Sequence, residues 1–131
     1  MKLSDIYDVG SIAEKIDGWL GKREGAYLYT LVKRSVTPGV IGEIGSWKGK
    51  STVWLAKESE SVKGPEIFAI DPHVGGPDLE KLGLFNVSTE AEFLENMRIA
   101  RVDNRVHAIV KSSGDALKEW REPVGREDLF D

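Results

Sequence analysis

A strand that runs into a helix through a glycine turn, at residues 40–60, constrains this chain more than any other feature of its sequence. Val40-Ile41-Gly42-Glu43-Ile44 is a short apolar run bounded by turn residues, which reads as a buried strand. Gly45 and Gly49 follow, and residues 51–60 read as the helix that leaves the turn. A second buried strand, 66–70, ends in Asp71, 28 residues after Glu43. In a parallel α/β sheet those two places meet at the carboxyl ends of the strands, where ligands bind. Glycine lets the backbone take positive φ and lets a ligand approach without meeting a Cβ atom, while the helix start offers unpaired N–H donors. A carboxylate closing the second strand can accept hydrogen bonds from both hydroxyls of a ribose. Each part has a plainer reading, a turn that needs glycine or a solvated loop acid; order and spacing together favour a nucleotide-like site.

The rest of the chain extends this unit. Ser4 is a candidate N-cap for a helix with apolar Ile6, Val9, Ile12, Ala13, Ile16, Trp19 and Leu20 at steps of three and four, broken near Gly10. A second helix is expected over 24–36, closed by Thr37-Pro38-Gly39. Residues 72–88 read as a long glycine- and proline-containing loop, of the kind that is functional or mobile in compact domains. Thr89 and Glu92 form a capping-box signature for a helix to about residue 101, a third strand follows at 105–110, and a short helix at 115–120. The reading is α/β: a Rossmann-like parallel sheet with helices on both faces, preceded by two N-terminal helices. One domain is expected over 1–131, with helices in 1–38 and a cofactor-binding half in 39–131.

Composition narrows the chemistry. With 131 residues, 40% of them apolar, one core is the natural size. The absence of cysteine excludes disulfides and thiol nucleophiles, and two distant histidines, His73 and His107, make a zinc site unfavoured, so no metal is expected. A net charge of −4 with interspersed signs presents no basic face for nucleic acid. No apolar run reaches the roughly 18 residues that span a bilayer, and the start lacks a secretory layout; no membrane partner and a cytoplasmic location are expected. Lys48 and Lys50 read as solvated turn charges, and Trp19, Trp54 and Trp120 as core or amphipathic-surface residues.

Three nucleotide-binding patterns compete for the turn. The dinucleotide fingerprint G-x-G-x-x-G fails, because Gly42, Gly45 and Gly49 are too widely spaced. The phosphate-cradling P-loop comes close with Gly49-Lys50-Ser51, but three residues separate Gly45 from Gly49 where four are needed. Asp71 could then pass for a magnesium-binding acid, so a P-loop-like phosphate binder stays open.

The third pattern is a resemblance. Glu43, Gly45, Gly49, Lys50, Ser51 and Thr52 match the acid-x-G-x-x-x-G-[KR]-S-T motif of class I S-adenosylmethionine-dependent methyltransferases. Glu24-Gly25 with Leu28, Tyr29 and Leu31 resembles that family too, as do Ile70-Asp71-Pro72-His73 with Gly75-Gly76, Phe93 with Asn96, and Val110 with Ser113 and Trp120. The likeness runs from about residue 17 to the last. It implies S-adenosylmethionine as cofactor, with Glu43 and Gly45 at its methionine end, Asp71 at the ribose, and Ser113 and Gly114 at the adenine edge. It also implicates Ser46, Trp47, Gly49, Ser51, Pro72 and His73 in the cofactor site. Trp47 either covers the cofactor or packs under the turn. His73 is favoured as a histidine that shapes the pocket over a catalytic one.

Relative to that family, the chain reads as the N-terminal half. Leu129-Phe130-Asp131 look like the first residues of a fourth strand, so the sheet is expected to be truncated after the third, and no catalytic residue can be assigned. The methyl acceptor, a small molecule or a glycan, is left open, and inactivity of the truncated chain is one of the readings. A non-catalytic adenosyl-binding or interaction module is the remaining alternative. The first strand would expose an edge, from which self-association is expected.

Overall fold

The computed structural model describes residues 3–34 and 39–120. Its element order is α1 (Leu3–Ala13), α2 (Lys22–Arg34), β1 (Ile41–Ile44), α3 (Lys50–Val62), β2 (Ile67–Ile70), α4 (Pro77–Lys81), α5 (Glu90–Ile99), β3 (Val106–Ile109) and α6 (Ser113–Trp120). The strands form a parallel sheet in the order β1-β2-β3, flanked by helices in the Rossmann-like manner that the alternation of strand and helix predicts. The fourth-strand expectation at 129–131 and the closing residues Thr37 and Pro38 lie outside the described residues.

Because each crossover steps the same way across the sheet, right-handed connections place α3 and α5 over one face. Register identifies that face. Ile67 and Ala69, both fully buried, pair with Ile41 and Glu43 on one side and with Val106 and Ala108 on the other. Above them lies one core cluster, with Val53, Trp54 and Ala56 of α3, Phe93 and Met97 of α5, Val9 and Ala13 of α1, and Tyr29 of α2. On the opposite face the rings of Phe68 and His107 stack at 4.7 Å, and Ile44 is 73% exposed.

Several local expectations change. Gly10 does not break α1: the Glu14 N–H bonds the Gly10 carbonyl at 2.9 Å, and the helix unwinds only after Ala13. Glycine serves there because a Cβ would stand 3.3 Å from the Trp54 ring. Gly25 has the stronger version of the same reason. A Cβ on it would fall 2.1 Å from Trp54 Nε1, so α2 and α3 meet through a position that only glycine can occupy. Trp54, at 1% exposure, is core, with its ring edge-on to Tyr29.

The 72–88 segment is not a featureless loop. Pro77 opens α4, as proline can at the first helical position, and Val74 and Ser88 form an isolated antiparallel bridge that closes the segment on itself. Thr89 does precede α5, but its side chain caps nothing; the hydroxyl is taken by His73. Among the described residues no helix is long and apolar enough to cross a membrane.

Candidate functional site

The carboxyl edge of the sheet is assembled by backbone first. The Gly45 N–H donates to the Ile70 carbonyl at 2.9 Å and the Asp71 N–H to the Ile109 carbonyl at 3.1 Å, which brings the ends of all three strands level. Gly45 then turns at φ 82, Trp47 at φ 50 and Gly49 at φ 93, three left-handed residues within one short connection. The two glycines answer to different demands. A Cβ on Gly49 would lie 2.3 Å from Met97 Cε, so this residue is where the turn seats on α5. A Cβ on Gly45 would meet nothing within 4 Å, so the turn keeps an open face there.

Asp71 joins this turn directly. Its Oδ2 accepts the Trp47 N–H at 2.8 Å and its Oδ1 the His73 N–H at 2.7 Å. The acid at the end of β2 and the glycine turn after β1 therefore form one rim, as the sequence pattern requires of a nucleotide-like site. Each carboxylate oxygen spends one acceptor direction on backbone and retains capacity for another donor.

Glu43 faces the start of α3. Its two oxygens accept the hydroxyls of Ser51 and Thr52, each at 2.5 Å. Enclosure by protein pushes the Glu43 carboxyl above the usual carboxylate range, the Ser51 and Thr52 hydrogen bonds oppose that rise, and the nearby Asp71 charge adds to it. An acid at a helix N-terminus is also favoured by the helix dipole. Ser51 is thus turned back onto β1. Ser46, buried at the turn, has a hydroxyl with no hydrogen-bond partner among the described residues.

His73 is 2% exposed and sits at φ 55. Its Nδ1 lies 2.9 Å from the Thr89 hydroxyl, its ring 5.0 Å from that of Phe93, and its carbonyl accepts the Thr89 N–H at 3.0 Å. It pins the segment after β2 to the start of α5, and its buried Nε2 has no partner among the described residues. Pro72 links Asp71 to His73 outside any helix or strand. Ser113 and Gly114 open α6 just beyond β3, at the same edge and exposed to solvent, with Ser112 capping the helix by accepting the Asp115 N–H at 3.2 Å.

Beside the rim lies a feature that sequence reasoning did not find. The connection between α1 and α2 folds over the turn and, with the 84–89 segment and α5, borders a cavity of about 450 Å³ that is open to solvent. Trp19 and Trp47 meet on one wall with ring centroids 5.3 Å apart, and Leu84 and Val87 also line the space. Lys48, expected as a solvated charge, is instead clasped: its ammonium lies 3.2 Å from Asp17, 3.0 Å from Glu92 and 5.7 Å from the Trp47 ring centre. The Glu92 hydrogen bond in particular holds the Lys48 ammonium above the usual lysine range. Asn96 adds a bond from Nδ2 to the Lys48 carbonyl at 2.9 Å. Lys50 also points away from the rim, toward the Gly18 carbonyl at 3.4 Å and Glu14 at 3.6 Å. These hydrogen bonds and ion pairs join residues from 31 to 48 apart, and no local spacing announces them.

Comparison with known protein families adds one finding: residues 43–130, from the turn acid onward, match a family model described as a methyltransferase domain.

Proposed function

The chain belongs to the methyltransferase domain family, and from that premise we propose that it binds S-adenosylmethionine along the carboxyl edge of the sheet and directs its methyl group to a small acceptor. One observation carries the reading: the Asp71 carboxylate is fixed against a glycine turn whose Gly45 face is open. The residues present fit the cofactor. Open space over Gly45 admits a backbone approach that a Cβ would obstruct, and the buried Ser46 hydroxyl lacks a partner. Glu43 and Gly45 would flank the methionine end, and Asp71 would receive the ribose hydroxyls. Trp47, Pro72 and His73 would wall the site, Ser113 and Gly114 would border the adenine, and Gly49 and Ser51 would hold the turn. The cofactor, when bound, supplies an electrophilic methyl on sulfonium; the protein supplies position and electrostatics.

The phosphate-cradle alternative is not favoured. Three of the turn's amides are spent internally: Gly45 on Ile70, Trp47 on Asp71, and Gly49 on the Ser46 carbonyl at 2.8 Å. Lys50 is tied to α1 and the residues after it, and Ser51 to Glu43, so neither group that a P-loop needs is free. A carboxylate facing the turn would also repel a phosphate.

Calorimetry of the chain with S-adenosylhomocysteine, S-adenosylmethionine and Mg-ATP tests this. Saturable binding of the two adenosyl compounds is expected, with none of Mg-ATP. Asp71→Ala should weaken it by at least about tenfold, since a hydrogen bond to a charged acceptor contributes roughly 1.5–3 kcal/mol. Absence of adenosylhomocysteine binding, or binding indifferent to Asp71→Ala, would refute the reading.

The reading extends to assembly. Among the described residues β1 pairs only with β2, leaving its other edge with unpaired backbone groups beside an exposed Ile44. Such an edge is a template for a second chain. Self-association of the 131-residue chain at micromolar concentration is proposed, and a stable monomer in sedimentation velocity would exclude it.

A further inference from the structure

The cavity beside the rim has a chemical character that narrows what can fill it. Trp19 is 67% exposed although its ring lies 5.3 Å from that of Trp47 in a tilted contact, so an indole face is held in the open at the cavity wall. A large apolar ring kept in water costs free energy that a ligand ring would recover. The charged groups exclude two ligand classes. A cation would have to compete with Lys48, which already occupies the space between Asp17, Glu92 and the Trp47 ring. An anion would meet Asp17 and Glu92, two carboxylates against one ammonium. What remains is a neutral ligand with an apolar ring face and several hydroxyls at its edge. The carboxylates of Asp17 and Glu92 are largely solvent-exposed and can accept from such hydroxyls, and Ser88 adds a third polar group. A flat phenol would use one polar vertex and leave the rest of that lining facing hydrocarbon.

We propose that this cavity is the acceptor site and that the acceptor is a neutral sugar ring, stacked on Trp19 and hydrogen-bonded through its hydroxyls to Asp17 and Glu92. This inference rests on the reading of the adjoining rim as a cofactor site, because Trp47 belongs to both.

The test is titration of the full chain, saturated with S-adenosylhomocysteine, while the indole N–H resonances of Trp19 and Trp47 are followed by NMR. The probes are methyl glycosides of glucose, galactose, mannose and rhamnose, with catechol and choline as competitors of other classes. Expected is a saturable shift of both indole resonances with at least one glycoside. Trp19→Ala should weaken that response by about tenfold, the equivalent of one lost ring contact. Glu92→Gln, at an exposed position where the fold is not at risk, should weaken it as well. Saturation by catechol or choline with no glycoside response overturns the proposal. So does silence across the whole panel while adenosylhomocysteine still binds. Should adenosylhomocysteine fail to bind, the cofactor reading falls by itself, and the same titration without it still decides whether the cavity takes a sugar.

Discussion

Alanine at Gly45 and at Gly49 separates what the turn does for folding from what it does for a ligand. Both glycines lie at left-handed φ, 82 and 93, so either substitution carries the roughly 1–2 kcal/mol that an L side chain costs there. At Gly45 that is nearly all, since the added Cβ has no neighbour within 4 Å. At Gly49 the Cβ would stand 2.3 Å from Met97 Cε and 3.2 Å from Phe93 Cδ2, both side chains buried in the core. Overpacking adds about 1–3 kcal/mol, for a total of about 2–5 kcal/mol. At about 4 °C per kcal/mol for a domain of this size, Gly45→Ala should lower the melting temperature by about 4–8 °C and Gly49→Ala by about 8–20 °C.

Binding should rank the other way. Gly45→Ala puts a methyl group into the space assigned to the cofactor, so its adenosylhomocysteine affinity should drop by at least about tenfold while the protein stays folded. Circular dichroism melts and calorimetry on the same samples measure both. Wild-type affinity in Gly45→Ala would refute the placement of the cofactor over this residue. Equal melting temperatures for the two variants would refute the packing argument at Gly49.

Gly25→Ala drives a Cβ to 2.1 Å from Trp54 Nε1 and 2.3 Å from Cε2; a rigid buried indole has no room to retreat, so a loss of about 3 kcal/mol is expected in urea unfolding, and less than about 1 kcal/mol would contradict it. Lys50→Met removes partly exposed contacts to Glu14 and Gly18, so stability should change by less than about 1 kcal/mol, with adenosylhomocysteine affinity unaffected; a large loss of affinity would return the lysine to the ligand site. Glu43 titrates above its ordinary 4.5 in the folded chain, which therefore holds the proton where the unfolded chain has released it, so this group makes stability fall as pH rises from about 4.5 through the raised value. Glu43→Gln should remove that slope from the pH profile of unfolding free energy, and an unchanged slope would refute the assignment.

What the sequence reveals here divides by the range of the forces involved. The strands are legible because short apolar runs between turn residues have few other fates, and their limits shift by only a residue or so. The turn and Asp71 are legible as a pair because parallel-sheet topology alone brings strand ends together. Gly10 misleads because glycine is a helix breaker only on average; here it is retained to let Trp54 lie close. Thr89 marks the right boundary for a reason other than the one its motif suggests, since His73 takes its hydroxyl. The clasp of Lys48 by Asp17 and Glu92 and the tilted contact of Trp19 with Trp47 leave no local trace. Both depend on how the α1–α2 connection lies across the turn, which periodicity does not encode.

The rim is held in place by its own backbone and one carboxylate. Two residues other than glycine hold left-handed φ at the carboxyl edge, Trp47 at 50 and His73 at 55, each at a cost of order 1–3 kcal/mol. Both donate their N–H to the same carboxylate, Asp71, in bonds to a charged acceptor that contribute roughly 1.5–3 kcal/mol each. The strain and the bonds that offset it are therefore centred on one residue. Because Asp71 organises the turn on one side and the His73 segment on the other, a ligand that engages its remaining acceptor sites meets a surface already in place and spends little of its binding free energy on ordering the chain. The same arrangement explains why β2 must end in a carboxylate: an amide has a single acceptor oxygen and could not face both N–H donors through separate oxygens.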